Sequence, residues 1–157
     1  MKKYLVVIFL IIFLCIGCNK GTSGKERTAE ELLNQYVTAY MNADSDKMKE
    51  VFPEFYVDNN YRYLTRDYLN NTLEAMKNEC GTDFKLTYTL NDKYELNTKR
   101  LESLNNRINS KYNTSITANH CYSLDGTKTW AGSKKTETTP LFAYYCSFSG
   151  SWYLLFE

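Results

Sequence analysis

The fold class of this chain follows mainly from residues 116–156, ITANHCYSLDGTKTWAGSKKTETTPLFAYYCSFSGSWYLLF. Apolar and polar side chains alternate within it, which is typical of half-buried strands. It predicts three strands, from Ile116 to Trp130, from Glu137 to Phe148 and from Trp152 to Phe156, with polar turns at 132–135 and 149–150. Because turns this short join antiparallel neighbours, the last quarter of the chain predicts an antiparallel sheet.

The preceding part of the chain has the spacing of helices. Thr28-Ala29-Glu30-Glu31 is a capping box, and the apolar residues behind it predict a helix from about 29 to 43. A second short helix is expected to carry Met48, Val51 and Phe52 and to end at Pro53, because proline disfavours helical geometry in the residue before it. A third helix is predicted from about 66 to 80, with Thr65 as its cap and Gly81 at its end.

Between these helices and the final strands lie one further strand and one further helix. Residues from Phe84 to Leu90 alternate like a strand, and residues from Thr98 to Ser110 return to helical spacing. Helices that precede antiparallel strands indicate an α+β fold, in which N-terminal helices pack on a curved antiparallel sheet. We predict a single domain over residues 28–157.

The N-terminus has the pattern of an export signal. Lys2 and Lys3 precede an uncharged, mostly aliphatic run over residues 4–16, which is shorter than the roughly 20 residues that a membrane span needs. The junction Leu14-Cys15-Ile16-Gly17-Cys18 resembles the lipobox of bacterial lipoproteins. That resemblance implies removal of residues 1–17 and attachment of lipid to Cys18, with residues 18–27 as a flexible spacer. It places the protein on the extracytoplasmic face of the cell membrane, held there by lipid.

The order of the elements resembles a second family. The helix ending at Val51-Phe52-Pro53, the helix–strand–helix stretch and the closing Gly150-Ser151-Trp152-Tyr153-Leu154 are similar to the nuclear-transport-factor-2-like, or cystatin-like roll, superfamily. They are also similar to small lipoproteins of low-GC bacteria that end in a Gly-x-Trp-Tyr-Leu strand. The resemblance implies a cone-shaped cavity under the curved sheet, and it implies no particular chemistry.

Five cysteines are present, and Cys80, Cys121 and Cys146 would remain outside the membrane anchor. A turn at 132–135 puts 131 opposite 136, and counting back along both strands puts Cys121 opposite Cys146, as a disulfide requires. Asp125-Gly126 could instead be a two-residue turn, which would pair Cys121 with Trp130. We favour the long hairpin with Asp125-Gly126 as a bulge, and three buried free thiols stay open as an alternative.

His120 is the one histidine of the chain. Strand alternation places it with Ala118 and Tyr122 on the face that we expect to be concave, where it could act as a general base with Asp58 or Asp67. A structural or solvent-exposed histidine is the alternative. We predict no metal ligand, because the cysteines and the histidine lack ligand spacing. We also predict no catalytic residue and no cofactor, because no sequence pattern joins His120 to a carboxylate and no catalytic or phosphate-binding motif is found.

Tyrosine is unusually frequent, with 14 copies. Tyr56, Tyr61, Tyr63 and Tyr68 cluster around the third helix. In the long-hairpin register both faces of the final strands are apolar, and helices were expected to cover only one of them. The residues assigned to a cavity or partner surface are His120, Tyr122, Tyr144, Tyr145, Trp152 and Tyr153.

The net charge of the chain argues against one class of function, nucleic-acid binding. The formal net charge is +1, which gives no electrostatic basis for binding nucleic acid. We predict a membrane-anchored extracytoplasmic lipoprotein that binds a partner protein or a small apolar ligand without catalysis. Two alternatives are a small cavity enzyme of dehydratase or isomerase type that uses His120, and an interaction module that forms a homodimer or joins an envelope assembly through its sheet face.

Replacing Cys18 with alanine tests the membrane anchor. We expect Cys18→Ala to move the full chain, expressed in a bacterial host, from the detergent phase to the aqueous phase, because two acyl chains give stable anchoring. Detergent phase separation and intact mass measure the change. Cys15→Ala is the matched control and should keep the lipid, because position 15 lies in the segment that is removed. An aqueous wild-type chain with an unmodified initiator methionine would contradict the assignment.

Overall fold

The structure is a computed structural model and describes residues 27–156. The predicted signal peptide, the lipidation site Cys18 and the spacer up to residue 26 lie outside the described residues. Five helices are described: α1 (Ala29–Met41), α2 (Ser45–Lys49), α3 (Glu54–Asn60), α4 (Arg66–Cys80) and α5 (Thr98–Tyr112). A 3₁₀ turn over Tyr61–Tyr63 connects α3 to α4. The strands are β1 (Lys85–Glu95), β2 (Ala118–Ala131), β3 (Thr136–Phe148) and β4 (Ser151–Phe156).

The four strands form one open antiparallel sheet in the order β1-β2-β3-β4. Four helices, α1 to α4, precede the sheet, and α5 lies between β1 and β2 in the chain. The predicted α+β class, with N-terminal helices on an antiparallel sheet, is confirmed. The register of β2 and β3 follows the turn at 132–135, so that Ala131 lies opposite Thr136.

The predicted capping box at the start of α1 is confirmed. The Thr28 side chain accepts a hydrogen bond from the Glu31 amide at 3.1 Å, and the Thr28 amide donates to the Glu31 carboxylate at 2.8 Å. This reciprocal pair satisfies two backbone groups that a helix N-terminus otherwise leaves open. Arg27, which the sequence assigns to the spacer, already contacts the domain, because its guanidinium donates to the carbonyls of Glu50 and Trp152.

The inner face of the sheet carries the main core. Leu86 of β1, Leu124 of β2 and Leu154 of β4 point to this face and pack with α1 and α4. The helical side of this core includes Leu32 and Leu69, both almost fully buried. Burial of such side chains contributes on the order of 1.5–3 kcal/mol each, so this layer supplies much of the stability of the domain.

The outer face of the sheet has its own cover at one end. Leu104 and Ile108 of α5, together with Phe55 of α3, pack against Cys121 and Cys146. The expectation that helices cover only one face of the final strands is therefore wrong. The remainder of the outer face, toward the 132–135 turn, is polar and exposed, with Phe142 as its large apolar exception at 67% exposure.

A β-bulge separates Ala118 from His120 and changes the strand alternation there. The buried Asn105 side chain of α5 causes it, since its amide donates to the Ala118 carbonyl at 3.2 Å and its oxygen accepts from the Ala118 amide at 2.8 Å. Ala118 consequently lies opposite Phe148 in the outer cluster. The predicted grouping of Ala118 with His120 and Tyr122 on one face is wrong, because the extra residue reverses the alternation.

The region around Pro53 differs from the predicted second helix. Helix α2 ends at Lys49, so Met48 is helical whereas Val51 and Phe52 follow the helix. Pro53 has extended geometry and stands at the start of α3, which the sequence did not predict. Aromatic, β-branched and asparagine residues dominate α3 and are weak helix formers, so packing of Phe55 stabilises it instead of propensity.

Cys121 and Cys146 face each other across β2 and β3 and are joined by a disulfide, with sulfurs 2.04 Å apart. The third cysteine of the described residues, Cys80, is a buried free thiol at the end of α4. Its carbonyl accepts a hydrogen bond from the Lys134 amide at 2.8 Å, which fastens α4 to the hairpin turn. The long hairpin is thus held at both ends.

Gly126 does not form the bulge that the sequence predicts at Asp125-Gly126. Strands β2 and β3 pair without interruption at Asp125 and Gly126, and the irregularity lies on β1, between Leu90 and Asp92. A Cβ at position 126 would lie 2.2 Å from the carbonyl oxygen of Thr89. Glycine is therefore needed for close approach of two backbones and not for a turn.

We expect Gly126→Ala to lower the free energy of unfolding by about 1–3 kcal/mol, because β1 must shift away from the added methyl group. Urea denaturation followed by far-UV circular dichroism measures the change. Asp125→Ala is the matched control, because its side chain is exposed in the neighbouring position. Equal stability of Gly126→Ala and the wild type would contradict the close approach of β1 and β2.

Candidate binding cavity

A cavity of about 440 Å³ opens between the inner face of the sheet and the helices α1, α3 and α4. Ligand pockets in proteins commonly fall between about 300 and 1,000 Å³. Its lining consists of Tyr36, Tyr40, Met48, Phe52, Tyr56, Asn60, Tyr63, Leu64, Tyr68, Leu69, Thr72, Tyr88, Lys128, Trp130, Pro140, Leu141, Phe142 and Phe156. Most of these side chains are aromatic, so the cavity offers ring faces and ring edges to an occupant.

Two of the tyrosines come from α1, one helical turn apart. Tyr36 and Tyr40 follow from the i, i+4 spacing that puts side chains on one helical face. The Tyr36 ring meets Tyr88 of β1 edge-on, with centroids 5.8 Å apart, and lies 4.9 Å from the Phe156 ring. Tyr40 lies edge-on to Trp130 at 5.5 Å. These contacts fix the rings of the inner wall.

Burial keeps the phenols of this wall neutral. Desolvation raises the pKa of Tyr40 to about 12 and that of Tyr56 to about 12. It also raises the pKa of Tyr36 and of Tyr88. The Tyr40 phenol raises the pKa of Tyr36 further, against a lowering hydrogen bond with Tyr88, and the Tyr36 phenol raises the pKa of Tyr88 further. The ionised forms are disfavoured because charge is costly away from water. At neutral pH the wall therefore presents hydroxyl groups and no phenolate.

The rim of the cavity is more open. Tyr63 and Tyr68 are 39% and 42% exposed, and their rings meet edge-on at 5.2 Å. The guanidinium of Arg62 lies 4.4 Å above the Tyr63 ring. An occupant could reach the inner wall between these side chains and the β3 edge, where Phe142 stands exposed.

His120 does not line this cavity. Its side chain is 65% exposed at the far end of β2, and its Nδ1 atom lies 3.7 Å from the Glu95 carboxylate. Asp58 and Asp67, the expected carboxylate partners, are exposed residues of α3 and α4. The placement of His120 in the concave interior is therefore corrected, because β2 at that point extends beyond the helices that cover the inner face.

The aromatic residues named from the sequence divide between two other places. Tyr122, Tyr145 and Trp152 form a cluster on the inner face near His120, with Tyr145 and Trp152 stacked at 4.3 Å. The Lys93 ammonium lies 4.8 Å above the Tyr122 ring. The Tyr145 hydroxyl donates a hydrogen bond to the Arg27 carbonyl, so this cluster connects Arg27, just before α1, to the sheet.

Tyr144 and Tyr153 lie on the outer face, in the cluster beneath α5. Arg107 of α5 donates to the Tyr144 hydroxyl at 3.2 Å. Both tyrosines are only partly exposed, so the bare aromatic sheet face on which the homodimer expectation depended is covered there. Helical periodicity assigns Tyr36 and Tyr40 to the apolar face of α1 and to no binding site, and no sequence motif includes Lys128. One sequence feature could have indicated these residues. The tyrosines of α1 recur at helical spacing, and the inward residues of β1 and β2 recur at alternate positions, so both sets face the same space.

Within residues 27–156, no group of histidine, cysteine, aspartate or glutamate side chains could hold a metal ion. In the same range, no helix is long and apolar enough to cross a membrane. The cavity lining contains no carboxylate, imidazole or thiol among the described residues. No protein-family model matches the chain, and neither does any curated protein or solved structure.

The raised pKa values predict a loss of stability in alkali. Unfolded phenols ionise near a pH of about 10, whereas Tyr40 and Tyr56 keep their protons to about 12. The stability that the folded protein gains by keeping these two phenols neutral is fully present below the pKa of an unfolded tyrosine. It is lost as the pH rises through the pKa values of Tyr40 and Tyr56 in the folded protein. We expect the free energy of unfolding, from urea denaturation at a series of pH values, to fall across this window.

Replacing Tyr40 and Tyr56 together with phenylalanine should make that fall shallower. Tyr61→Phe is the control, since Tyr61 is 58% exposed and its removal should leave the slope unchanged. A slope that is identical in all three proteins would contradict the burial of neutral phenols in the cavity wall.

Proposed function

We propose that this protein is a membrane-anchored extracytoplasmic lipoprotein that binds a small, apolar, ring-containing ligand without catalysis. The proposal that the protein binds a ligand rests on one observation, the aromatic cavity of about 440 Å³ on the inner face of the sheet. The anchor part rests on the lipobox-like junction at Cys18. A ligand in this cavity, rather than a partner protein, is favoured because the outer face of the last strands is covered by α5.

The lining suits a planar ligand. Tyrosine, tryptophan and phenylalanine rings attract another ring edge-on or in an offset stack, and each such contact contributes about 0.5–1.5 kcal/mol beyond the burial of area. Tyr36, Tyr88 and Trp130 are already held by neighbouring rings, so little side-chain entropy remains to be lost on binding. A rigid apolar wall of this kind supports affinity without specific polar contacts.

The same lining supports binding over catalysis. A general acid or base works best when its pKa lies near the working pH. The described lining offers phenols whose pKa values are raised and one lysine, Lys128, and His120 is on the surface beside Glu95. A dehydratase or isomerase mechanism through His120 lacks a substrate site within reach of the imidazole in this arrangement.

Fluorine NMR of the full chain labelled with 5-fluorotryptophan tests ligand binding. The chain has two tryptophans, of which Trp130 lines the cavity and Trp152 belongs to the other cluster. We expect the neutral probe 2-naphthylmethanol to shift the Trp130 resonance saturably and to leave Trp152 in place. Trp152→Phe assigns the two signals.

A matched pair of variants on α4 locates the binding. Thr72 lines the cavity and Ala75 lies on the exposed side of the same helix. Thr72→Phe should weaken probe binding at least about tenfold, because the added ring occupies the cavity, whereas Ala75→Phe should not change it. An unshifted Trp130 resonance in the wild type, or equal weakening by both variants, would contradict the proposal.

A further inference from the structure

Lys128 is the one charged residue among the described residues that line the cavity. It lies on the inner face of β2, opposite Tyr88 of β1 and Thr139 of β3. Its side chain is half-buried, and its ammonium stands 5.6 Å above the Trp130 ring. A lysine at this position places one positive charge beside the aromatic wall.

No carboxylate among residues 27–156 forms an ion pair with Lys128. The nearest acidic residue along the same face of the hairpin, Glu137, lies opposite Trp130. Glu137 is held by Lys135 at 2.8 Å, and that contact is the main cause of its lowered pKa. Lys135 also binds Glu79 of α4 at 2.5 Å. Glu137 is therefore paired with Lys135, and Lys128 is only a minor cause of its lowered pKa. No carboxylate of the described lining competes for the Lys128 ammonium.

We propose that the ligand is an amphipathic organic acid, with an apolar ring body against the tyrosines and a single anionic group beside Lys128. This inference rests on the proposed function and names the class of its ligand. A charge-assisted hydrogen bond at the edge of a cavity is stronger than a neutral one. The neutral wall adds no repulsion, because its phenols stay protonated.

The lining also argues for a single negative charge. A phosphate dianion is usually held by several donors, such as arginine forks or a helix N-terminus. Here Lys128 is the one cationic donor of the described lining, and the other donors, Asn60, Thr72 and the tyrosine hydroxyls, are neutral. The described lining has no carboxylate to pair with a ligand cation, whereas Lys128 offers one cationic donor to an anion. A monoanion such as a carboxylate matches that single charge.

A matched pair of probes tests the inference in the labelled full chain. 2-Naphthoate is the anionic counterpart of 2-naphthylmethanol, with the same ring body. We expect Lys128→Gln to weaken binding of 2-naphthoate about tenfold, from the Trp130 fluorine shift, and to change binding of 2-naphthylmethanol less than about twofold. Lys128→Arg should restore the anion affinity.

Lys85→Gln is the control, because Lys85 is exposed on the opposite face of the sheet and should have no effect on either probe. Thermal unfolding of each variant confirms that the fold is intact. Equal loss of both probes in Lys128→Gln, or no loss of 2-naphthoate, would overturn the role of Lys128 and leave the cavity proposal standing. Failure of 2-naphthylmethanol to bind the wild type would instead overturn the proposed function itself.

Discussion

The long hairpin of β2 and β3 determines where every other element can lie. Its turn is fastened to the end of α4 through the Lys134 amide, and its far end carries the Cys121–Cys146 disulfide. Because side chains alternate along a strand, each strand of this hairpin offers two apolar stretches on opposite faces, and both need cover. The N-terminal helices cover the inner face over most of its length, and α5 covers the outer face at the disulfide end. The cavity results from this division, because the inner cover does not fill the space beneath the curved sheet.

The contents of the cavity follow from the same geometry. Tyr36 and Tyr40 of α1 point into it, and Tyr88 of β1 meets them from the sheet. Large rings that touch one another at their edges leave gaps that aliphatic side chains would close. The tyrosines therefore serve as structural contacts and as a binding wall at once. Their hydroxyl groups are neutral at neutral pH, and burial raises the pKa of Tyr40 and of Tyr88 further above it, so that Lys128 is the one charged side chain of the described lining.

Much of the fold can be predicted from the sequence, because local rules and tertiary structure agree there. The capping box at Thr28, helix α4 with its Thr65 cap, and the hairpin register from the 132–135 turn are examples. Helix α3 could not be predicted, since its residues are weak helix formers and the packing of Phe55 stabilises it. The bulge before His120 coincides with the Asn105 contacts to Ala118, which come from a residue distant in sequence, so strand alternation alone misplaced Ala118.

The candidate site was harder to predict than the fold for a physical reason. Periodicity shows which side chains turn inward, but it does not distinguish an inward ring in a packed core from one beside a gap. Tyr36 fits both patterns, and only the distance between helix and sheet separates them. Lys128 belongs to no sequence motif. It matters for ligand binding because the other residues of the described lining are uncharged.

If the proposed lipid anchor holds the chain at its N-terminal side, the contacts of Arg27 have a mechanical consequence. The Arg27 carbonyl accepts from Tyr145 of β3, and its guanidinium donates to the Trp152 carbonyl of β4. Tension that arrives at this residue is passed to two neighbouring strands, one of which is crosslinked to β2 through Cys146. Because Arg27 precedes the first residue of α1, Ala29, a force applied there meets these contacts with the sheet before it reaches the helix.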